Sequence, residues 1–99
     1  MENNILEWIS QWYNSNCDGD WEHHFGMNIE TIDNPGWSIE IDTTDTSTVL
    51  SNKLWKLEEV STNNWYGYEI KGGQFRASGD LNKLEFLLNI FKNLIKSKL

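Results

Sequence analysis

The sequence is poor in the features of membrane and secreted proteins. It contains a single cysteine, which cannot form an internal disulfide, and no apolar run that approaches the roughly 20 residues of a membrane-spanning helix. Its start, Met1-Glu2-Asn3-Asn4, lacks the basic residues and the apolar stretch of a signal peptide. We therefore predict a single domain over residues 1–99 that resides in the cytoplasm.

Positive charge is absent from the first half of the chain. Residues 1–50 carry ten Asp and Glu side chains and no Lys or Arg, whereas residues 51–99 carry five acidic and eight basic side chains. The net charge is −7. A protein with this excess of negative charge repels nucleic acid and anionic membranes, so we expect neither as a partner. The asymmetry favours a basic protein partner, although acidic residues also serve to keep a protein soluble.

The motifs of common enzymes are missing as well. The sequence has no phosphate-binding loop, no dinucleotide-binding fingerprint and no nucleophilic serine motif. The remaining candidate nucleophile is Cys17, which is close to His23 and His24 in the sequence, and a small thiol-dependent enzyme is therefore our alternative hypothesis. Cys17 follows the predicted end of a helix, however, where the helix dipole raises the pKa of a thiol. We expect no catalytic residue.

Two arrangements of metal-binding residue types are incomplete. Asp18, Asp20 and Glu22 alternate as in a calcium loop, but no glycine follows the third ligand and no glutamate closes the loop. Cys17 and the two histidines lack the paired spacing of zinc ligands. We expect neither a metal nor another cofactor.

The apolar pattern predicts a helix at each end of the chain. In residues 4–16 the apolar side chains fall on one arc, namely Ile5, Trp8, Ile9 and Trp12. A second amphipathic helix is predicted from Leu81 to about Lys96, with Asp80 as its N-cap. Phe86 and Ile90 lie outside the main apolar arc of this helix. They are either the edge of a wide buried face or a small contact patch.

Alternating apolar residues predict five strands between the helices. The first two form a hairpin around Asn34-Pro35-Gly36. Their apolar rows share a face only if the loop has an odd number of residues, such as Asn34–Gly36, or if a bulge follows the turn. The remaining strands are predicted over Leu54–Val60, Trp65–Lys71 and the residues after Gly72-Gly73, a two-residue turn that pairs Ile70 with Phe75 and Tyr68 with Ala77.

The order of these elements predicts an α+β fold. We expect an antiparallel β-meander of about five strands, with the N-terminal and the C-terminal helix packed on one face in a two-layer sandwich. The alternation then turns Glu30, Glu40 and Asp42 toward the opposite face of the sheet. These three carboxylates, together with Asp45 and Glu22, are our candidates for binding a basic partner.

Several short motifs carry a resemblance to a known family. They are Trp12-Tyr13, Cys17-Asp18-Gly19-Asp20-Trp21-Glu22-His23, Gly26, Asp33-Asn34-Pro35-Gly36-Trp37, Ile41-Asp42 and Gly79-Asp80-Leu81. Together they span nearly the whole chain, which resembles the immunity protein 53 family of bacterial polymorphic toxin systems. The resemblance implies a protein that binds and neutralises a cognate toxin domain made by the same cell. It implies neither the identity of the toxin nor any established binding residue.

We interpret the motif residues as structural rather than as a binding site. They are glycines for backbone geometry, polar residues for caps and turns, tryptophans for packing and a small thiol: Cys17, Asp18, Gly19, Asp20, Trp21, His23, Gly26, Asn34, Pro35, Gly36 and Trp37. Our leading hypothesis is a stoichiometric inhibitor of a toxin, in particular of a nuclease, because a nuclease has a basic substrate cleft that an acidic surface can occupy. The oligomeric state is left open.

Overall fold

The computed structural model of the chain describes residues 4–98. Within this range the chain forms α1 (Ile5–Asn16), α2 (Trp21–His24), β1 (Met27–Ile32), β2 (Gly36–Asp42), β3 (Lys53–Ser61), β4 (Asn64–Lys71), β5 (Gln74–Gly79) and α3 (Leu84–Lys96). No helix in this part of the chain is long and apolar enough to cross a membrane.

The five strands form one antiparallel sheet in the order β1-β2-β5-β4-β3. The predicted α+β class, with five antiparallel strands between two terminal helices, is confirmed. The strand order differs from that of a meander, because residues 43–52 carry the chain from β2 to the far edge of the sheet. After β4, the chain returns and β5 pairs with β2.

The side chains of β3 explain why this strand lies at an edge. Lys56 lies opposite Tyr68 of β4, which packs against the core, so Lys56 is on the side of the sheet that the helices cover. Glu58, two residues later, is on the same side. A central strand needs apolar side chains on the side that is covered by helices. β5 meets this need with Phe75 and Ala77, which are both buried.

Both long helices pack on the same face of the sheet, as predicted. Their buried side chains form one core with the inward-facing side chains of the strands and with one residue, Leu50, of the connection between β2 and β3. The core consists of Ile5, Ile9, Ile39, Ile41, Leu50, Ile70, Phe75, Ala77, Leu87, Leu88, Phe91 and Ile95. Phe91 of α3 joins the layers, because its ring centroid lies 5.0 Å from that of Trp12 in α1 and 5.4 Å from that of Phe75 in β5.

The start of α3 corrects the prediction from sequence. α3 begins at Leu84 with Lys83 as its N-cap, three residues after the predicted start at Leu81, and Asp80 is not the cap. The Asp80 carboxylate instead accepts hydrogen bonds from the Lys83 ammonium at 2.7 Å and from the N–H of Asn82 at 2.8 Å. These bonds hold residues 80–83 in a turn. Leu81, the predicted first residue of this helix, therefore lies in the turn and is exposed.

Short turns set the register of the paired strands. β1 and β2 are joined by three residues, Asp33–Pro35, and Ile32 pairs with Gly36. The prediction of an odd-numbered loop is confirmed, although the loop begins one residue earlier than the suggested Asn34–Gly36. The two-residue turn Gly72-Gly73 is also confirmed, with positive φ at both glycines and the predicted register of the flanking strands.

Candidate functional site

The side of the sheet that points away from α1 and α3 carries a row of carboxylates, and we call this side the open face. Ile39 and Ile41 of β2 are buried in the core, so the alternating side chains of Glu40 and Asp42 point to the open face. Glu30 of β1 shares this face through the register of β1 with β2. We refer to Glu30, Glu40 and Asp42 as the acidic face.

A cation from the other half of the chain lies beside the acidic face. Arg76 of β5 is directly opposite Glu40. Its Nη1 lies 3.7 Å from the carboxylate of Glu69 in β4, and its Nε donates a 2.7 Å hydrogen bond to Gln74. None of the ion pairs found within residues 4–98 includes a member of the acidic face. Sequence reasoning missed Arg76, because nothing local indicates that β5 pairs with β2.

Glu40 and Asp42 also line an open cavity of about 300 Å³. The other residues that line it are His24, Phe25, Gly26, Met27, Asn28 and Gln74. One oxygen of Asp42 accepts a 2.9 Å hydrogen bond from the N–H of Thr44, which orients this carboxylate. Glu40 is exposed. The structure therefore brings two of the candidate carboxylates together around a polar cavity, with Glu30 farther along β1.

The other two candidates, Glu22 and Asp45, lie outside the lining of this cavity. The Glu22 carboxylate accepts hydrogen bonds from the N–H groups of Asp18 at 3.0 Å and of Gly19 at 2.9 Å. Hydrogen bonding to its own N–H and to these two groups lowers the pKa of Glu22. Asp45 is exposed in the connection between β2 and β3 and has a positive φ of 63°. Glu22 therefore holds a loop, whereas Asp45 faces solvent.

Residues 17–26 form a loop around the short helix α2, and the carboxylates of Asp18 and Glu22 hold this loop. Asp18 Oδ1 accepts hydrogen bonds of 2.9 Å from the N–H groups of Trp21 and Asp20, and these bonds lower the pKa of Asp18. Together with Glu22, it satisfies four backbone N–H groups around the start of α2. Gly19 and Gly26 both have positive φ in this loop. No cluster of three metal-ligating side chains occurs in the part of the chain that is described.

Trp21 anchors this loop to the rest of the protein. Its side chain is buried, and its Nε1 donates a 2.9 Å hydrogen bond to the carbonyl oxygen of Thr44. Its ring centroid lies 5.4 Å from that of Tyr13 and 6.0 Å from that of Trp12, both in α1. The second motif tryptophan, Trp37, is only partly buried. Trp21 thus ties α2 both to α1 and to the connection after β2.

The remaining motif residues lie in and directly after the turn of the β1–β2 hairpin. Asn34 and Pro35 are exposed in the turn. Gly36 is buried, and a side chain at this position would collide with the carbonyl oxygen of Gly79 in β5. Trp37 donates a 3.1 Å hydrogen bond from Nε1 to the carbonyl oxygen of Leu81. These contacts join the hairpin to the turn that precedes α3.

The environment of Cys17 does not favour a reactive thiol. Cys17 is the C-cap residue of α1, and its Sγ donates a 3.3 Å hydrogen bond to the carbonyl oxygen of Tyr13. Burial and the nearby charge of Glu22 raise the pKa of the thiol. His23 and His24 are exposed, and His24 lies 3.4 Å from the carboxylate of Asp20. The thiol is therefore mostly protonated at neutral pH.

The open face also has an aromatic end, which sequence reasoning did not assign to a site. A cavity of about 340 Å³ is lined there by Asn34, Leu57, Glu59, Thr62 and Trp65. Trp65 alternates with the inward-facing Tyr66, and Leu57 lies opposite Gly67 in β4. The open face therefore runs from the acidic face on β1 and β2 to an aromatic end on β3 and β4, which also carries Glu59.

Comparison with known proteins identifies a family. The model of the family described as Immunity protein 53 matches residues 6–96 of the chain. Neither the curated proteins nor the solved structures contain a match.

Proposed function

The chain belongs to the immunity protein 53 family, and from this premise we propose that it binds a cognate toxin domain and inhibits it as a stoichiometric complex. The toxin is a protein of the same cell, as in bacterial polymorphic toxin systems. We further propose that the toxin domain has a basic substrate cleft, as a nuclease does, and that the acidic face enters or covers that cleft.

The observation that carries the proposal is the unpaired state of the acidic face. Glu30 and Glu40 are exposed and take part in none of the ion pairs formed within residues 4–98. Carboxylates in this state do not have to break internal ion pairs before they meet a cationic partner. Their field attracts a basic protein over distances of about a Debye length, roughly 10 Å at 0.1 M salt, and thereby raises the association rate.

The shape of the open face supports the same proposal. The cavity that Glu40 and Asp42 line has a volume of about 300 Å³ and offers a place for a cationic side chain of the toxin. At the other end of the face, Trp65 is partly exposed beside Leu57. Tryptophan is one of the residue types that most often dominate the binding energy of an interface. The acidic end would set the association rate, and the aromatic end would slow dissociation.

The test reverses charge on the acidic face and measures association with the toxin domain. We expect the double variant Glu40→Lys/Asp42→Lys to associate more slowly, with little change in its melting temperature. The matched control is Glu7→Lys/Glu85→Lys, which changes the net charge equally but on exposed positions of α1 and α3. Stopped-flow rates should fall for the first variant much more than for the control, because steering depends on where the charge lies.

The salt dependence separates this proposal from an apolar interface. Between about 0.05 and 0.5 M salt the Debye length falls below about 5 Å, so the wild-type association rate should fall steeply. The alternative contact surface is the one around Phe86 of α3. The Phe86 side chain is partly exposed, and its ring centroid lies 4.8 Å from that of Tyr66. A weak salt dependence, combined with a large loss of affinity in Phe86→Ala, would contradict the acidic-face proposal and favour that surface.

A further inference from the structure

The outer edge of β3 is the longest exposed strand edge of the sheet. β3 has nine residues, pairs with β4 on one side and ends the sheet on the other. Its register with β4 is regular from Lys56 to Glu59 and shifts on both sides of this segment. Leu54 and Val60 near its ends are 90% and 80% exposed, and Trp55 and Leu57 are also exposed. An edge strand with exposed apolar side chains is a template for pairing with another strand.

The charges of β3 are ordered in a way that fits a second copy of itself. Lys56 and Glu58 flank Leu57, so a twofold axis through Leu57 brings Lys56 of each copy opposite Glu58 of the other. Lys56, Leu57 and Glu58 all lie in the segment of β3 whose register with β4 is regular.

Other symmetric registers are less favourable. A twofold axis at Lys56 would place two lysines opposite each other, and an axis at Glu58 would place two glutamates opposite each other, both of which are destabilising. An axis between two residues would join opposite faces of the two sheets, because neighbouring side chains point to opposite sides. The register centred on Leu57 is the one that pairs unlike charges and keeps both helical layers on the same side.

We propose that the protein forms a homodimer in which the β3 strands of two copies pair antiparallel about Leu57, to give a continuous ten-stranded sheet. Lys56 already lies 3.2 Å from Glu58 of its own chain, and both side chains are largely exposed. In the dimer, each lysine lies between two carboxylates. β3 itself carries two lysines and two glutamates, so the net negative charge of the chain does not oppose contact at this edge.

The dimer leaves the acidic face available. β2, which carries Glu40 and Asp42, is separated from β3 by β5 and β4. The twofold axis, however, lies at Leu57, which lines the aromatic end of the open face. Disrupting the dimer should therefore leave the association rate of the toxin, which the acidic face sets, unchanged at low salt. The two proposals can fail independently, since one is read from the oligomeric state and the other from the association rate.

The first experiment exchanges the charges of β3. Sedimentation equilibrium over a dilution series should show a dimer for the wild type. Lys56→Glu and Glu58→Lys should each dimerise about tenfold more weakly, because two favourable cross-strand pairs become two repulsive ones. Mixing these two variants should restore the dimer, because every charge then meets its opposite across the axis. The double variant Lys56→Glu/Glu58→Lys should also dimerise like the wild type.

The second experiment traps the register with a disulfide. In a Cys17→Ser background, Leu57→Cys places two thiols at the twofold axis, within the Cα–Cα distance that a disulfide requires. The matched control is Glu59→Cys on the same face of β3, where the two thiols would lie about 14 Å apart along the strands. Mild oxidation should cross-link the first variant quickly and the second slowly.

Three results would overturn the proposal. They are a wild type that is monomeric throughout the dilution series, a mixture of the charge variants that stays monomeric, and equal cross-linking of the two cysteine variants. If a monomeric wild type loses toxin binding on Lys56→Glu, the β3 edge belongs to the toxin and not to a second copy. Circular dichroism and melting temperatures of each variant establish that a loss of dimer is not a loss of fold.

Discussion

Replacing Phe91 by alanine should remove the side chain that holds the two layers of the fold together. Phe91 is fully buried, and its ring contacts the rings of Trp8 and Trp12 in α1 and of Phe75 in β5. A single substitution at this position therefore tests how α1, α3 and the sheet dock together.

The expected loss of stability is large. Truncation of a buried Phe to Ala costs about 3–5 kcal/mol, which includes the cavity left behind. We expect about 4 kcal/mol, the middle of this range, since each of the three aromatic pairs contributes about 0.5–1.5 kcal/mol beyond buried area. A domain of this size loses about 4–8 °C in melting temperature per kcal/mol, so we expect a decrease of about 15–30 °C.

The assay is urea unfolding followed by circular dichroism, with thermal melts in parallel. The control is Phe86→Ala in the same helix, because Phe86 is 44% exposed and has one ring contact, with Tyr66. The control should lose about 1 kcal/mol. A loss below about 1 kcal/mol in Phe91→Ala, or equal losses in both variants, would show that α3 does not dock on α1 and β5 as described.

Three further predictions concern the Asp80 turn, the β3–β4 contact and the thiol. The ammonium of Lys83 and backbone N–H groups hold the pKa of Asp80 at about 2, below its ordinary 3.8. The lowered pKa means that ionised Asp80 stabilises the folded protein, and this stabilisation is complete above about pH 4 and disappears as the pH falls toward 2. The difference in melting temperature between wild type and Asp80→Asn should therefore be constant from pH 7 to 5 and shrink below pH 4. A difference that grows in acid would contradict the assigned role of Asp80. Gly67→Ala should lower the urea midpoint by the equivalent of about 1–3 kcal/mol, because the added Cβ would lie 2.6 Å from the ring of Trp55 and 2.9 Å from the backbone carbonyl oxygen of Lys56. An unchanged midpoint would show that the Trp55 ring and the backbone of β3 both shift at little cost. Cys17→Ser should protect cells from the toxin as well as the wild type does, whereas loss of protection by a folded variant would support a thiol-dependent enzyme.

The parts of the fold that sequence predicts are those set by local periodicity. Ile39, Ile41 and Glu40 alternate along one strand, and this alternation alone fixes which side chains face the core. The apolar arc of α3 is similarly local, since its residues recur at helical spacing, and Leu88 and Phe91, three residues apart, are both buried. The orientation of the acidic face therefore follows from the order of residues along β1 and β2.

The features that sequence does not predict depend on contacts between distant residues. The carboxylate of Asp80 accepts a 2.9 Å hydrogen bond from the N–H of Trp65, fifteen residues away. It also accepts the hydrogen bonds from Asn82 and Lys83 that hold the turn before α3. A good local N-cap is thereby used for a tertiary contact. In the same way, Arg76 lies opposite Glu40 only because β5 is inserted between β4 and β2. The pattern of a strand indicates whether it suits the edge or the centre of a sheet, but it does not indicate which remote strand is its neighbour.

The pairing of β2 with β5 also determines when the protein acquires its shape. Asp42 pairs with Gln74 and Trp37 pairs with Gly79, so the centre of the sheet closes only after residues 43–73 have been brought back on themselves. Contacts of such large sequence separation make folding slow, because the loss of chain entropy precedes the gain from pairing. Although the acidic face is encoded entirely in the first half of the chain, its strands lack the central neighbour β5 and the second covering helix α3 until the second half is in place. During synthesis, the acidic face therefore forms only after the second half of the chain has been made and has folded onto β2.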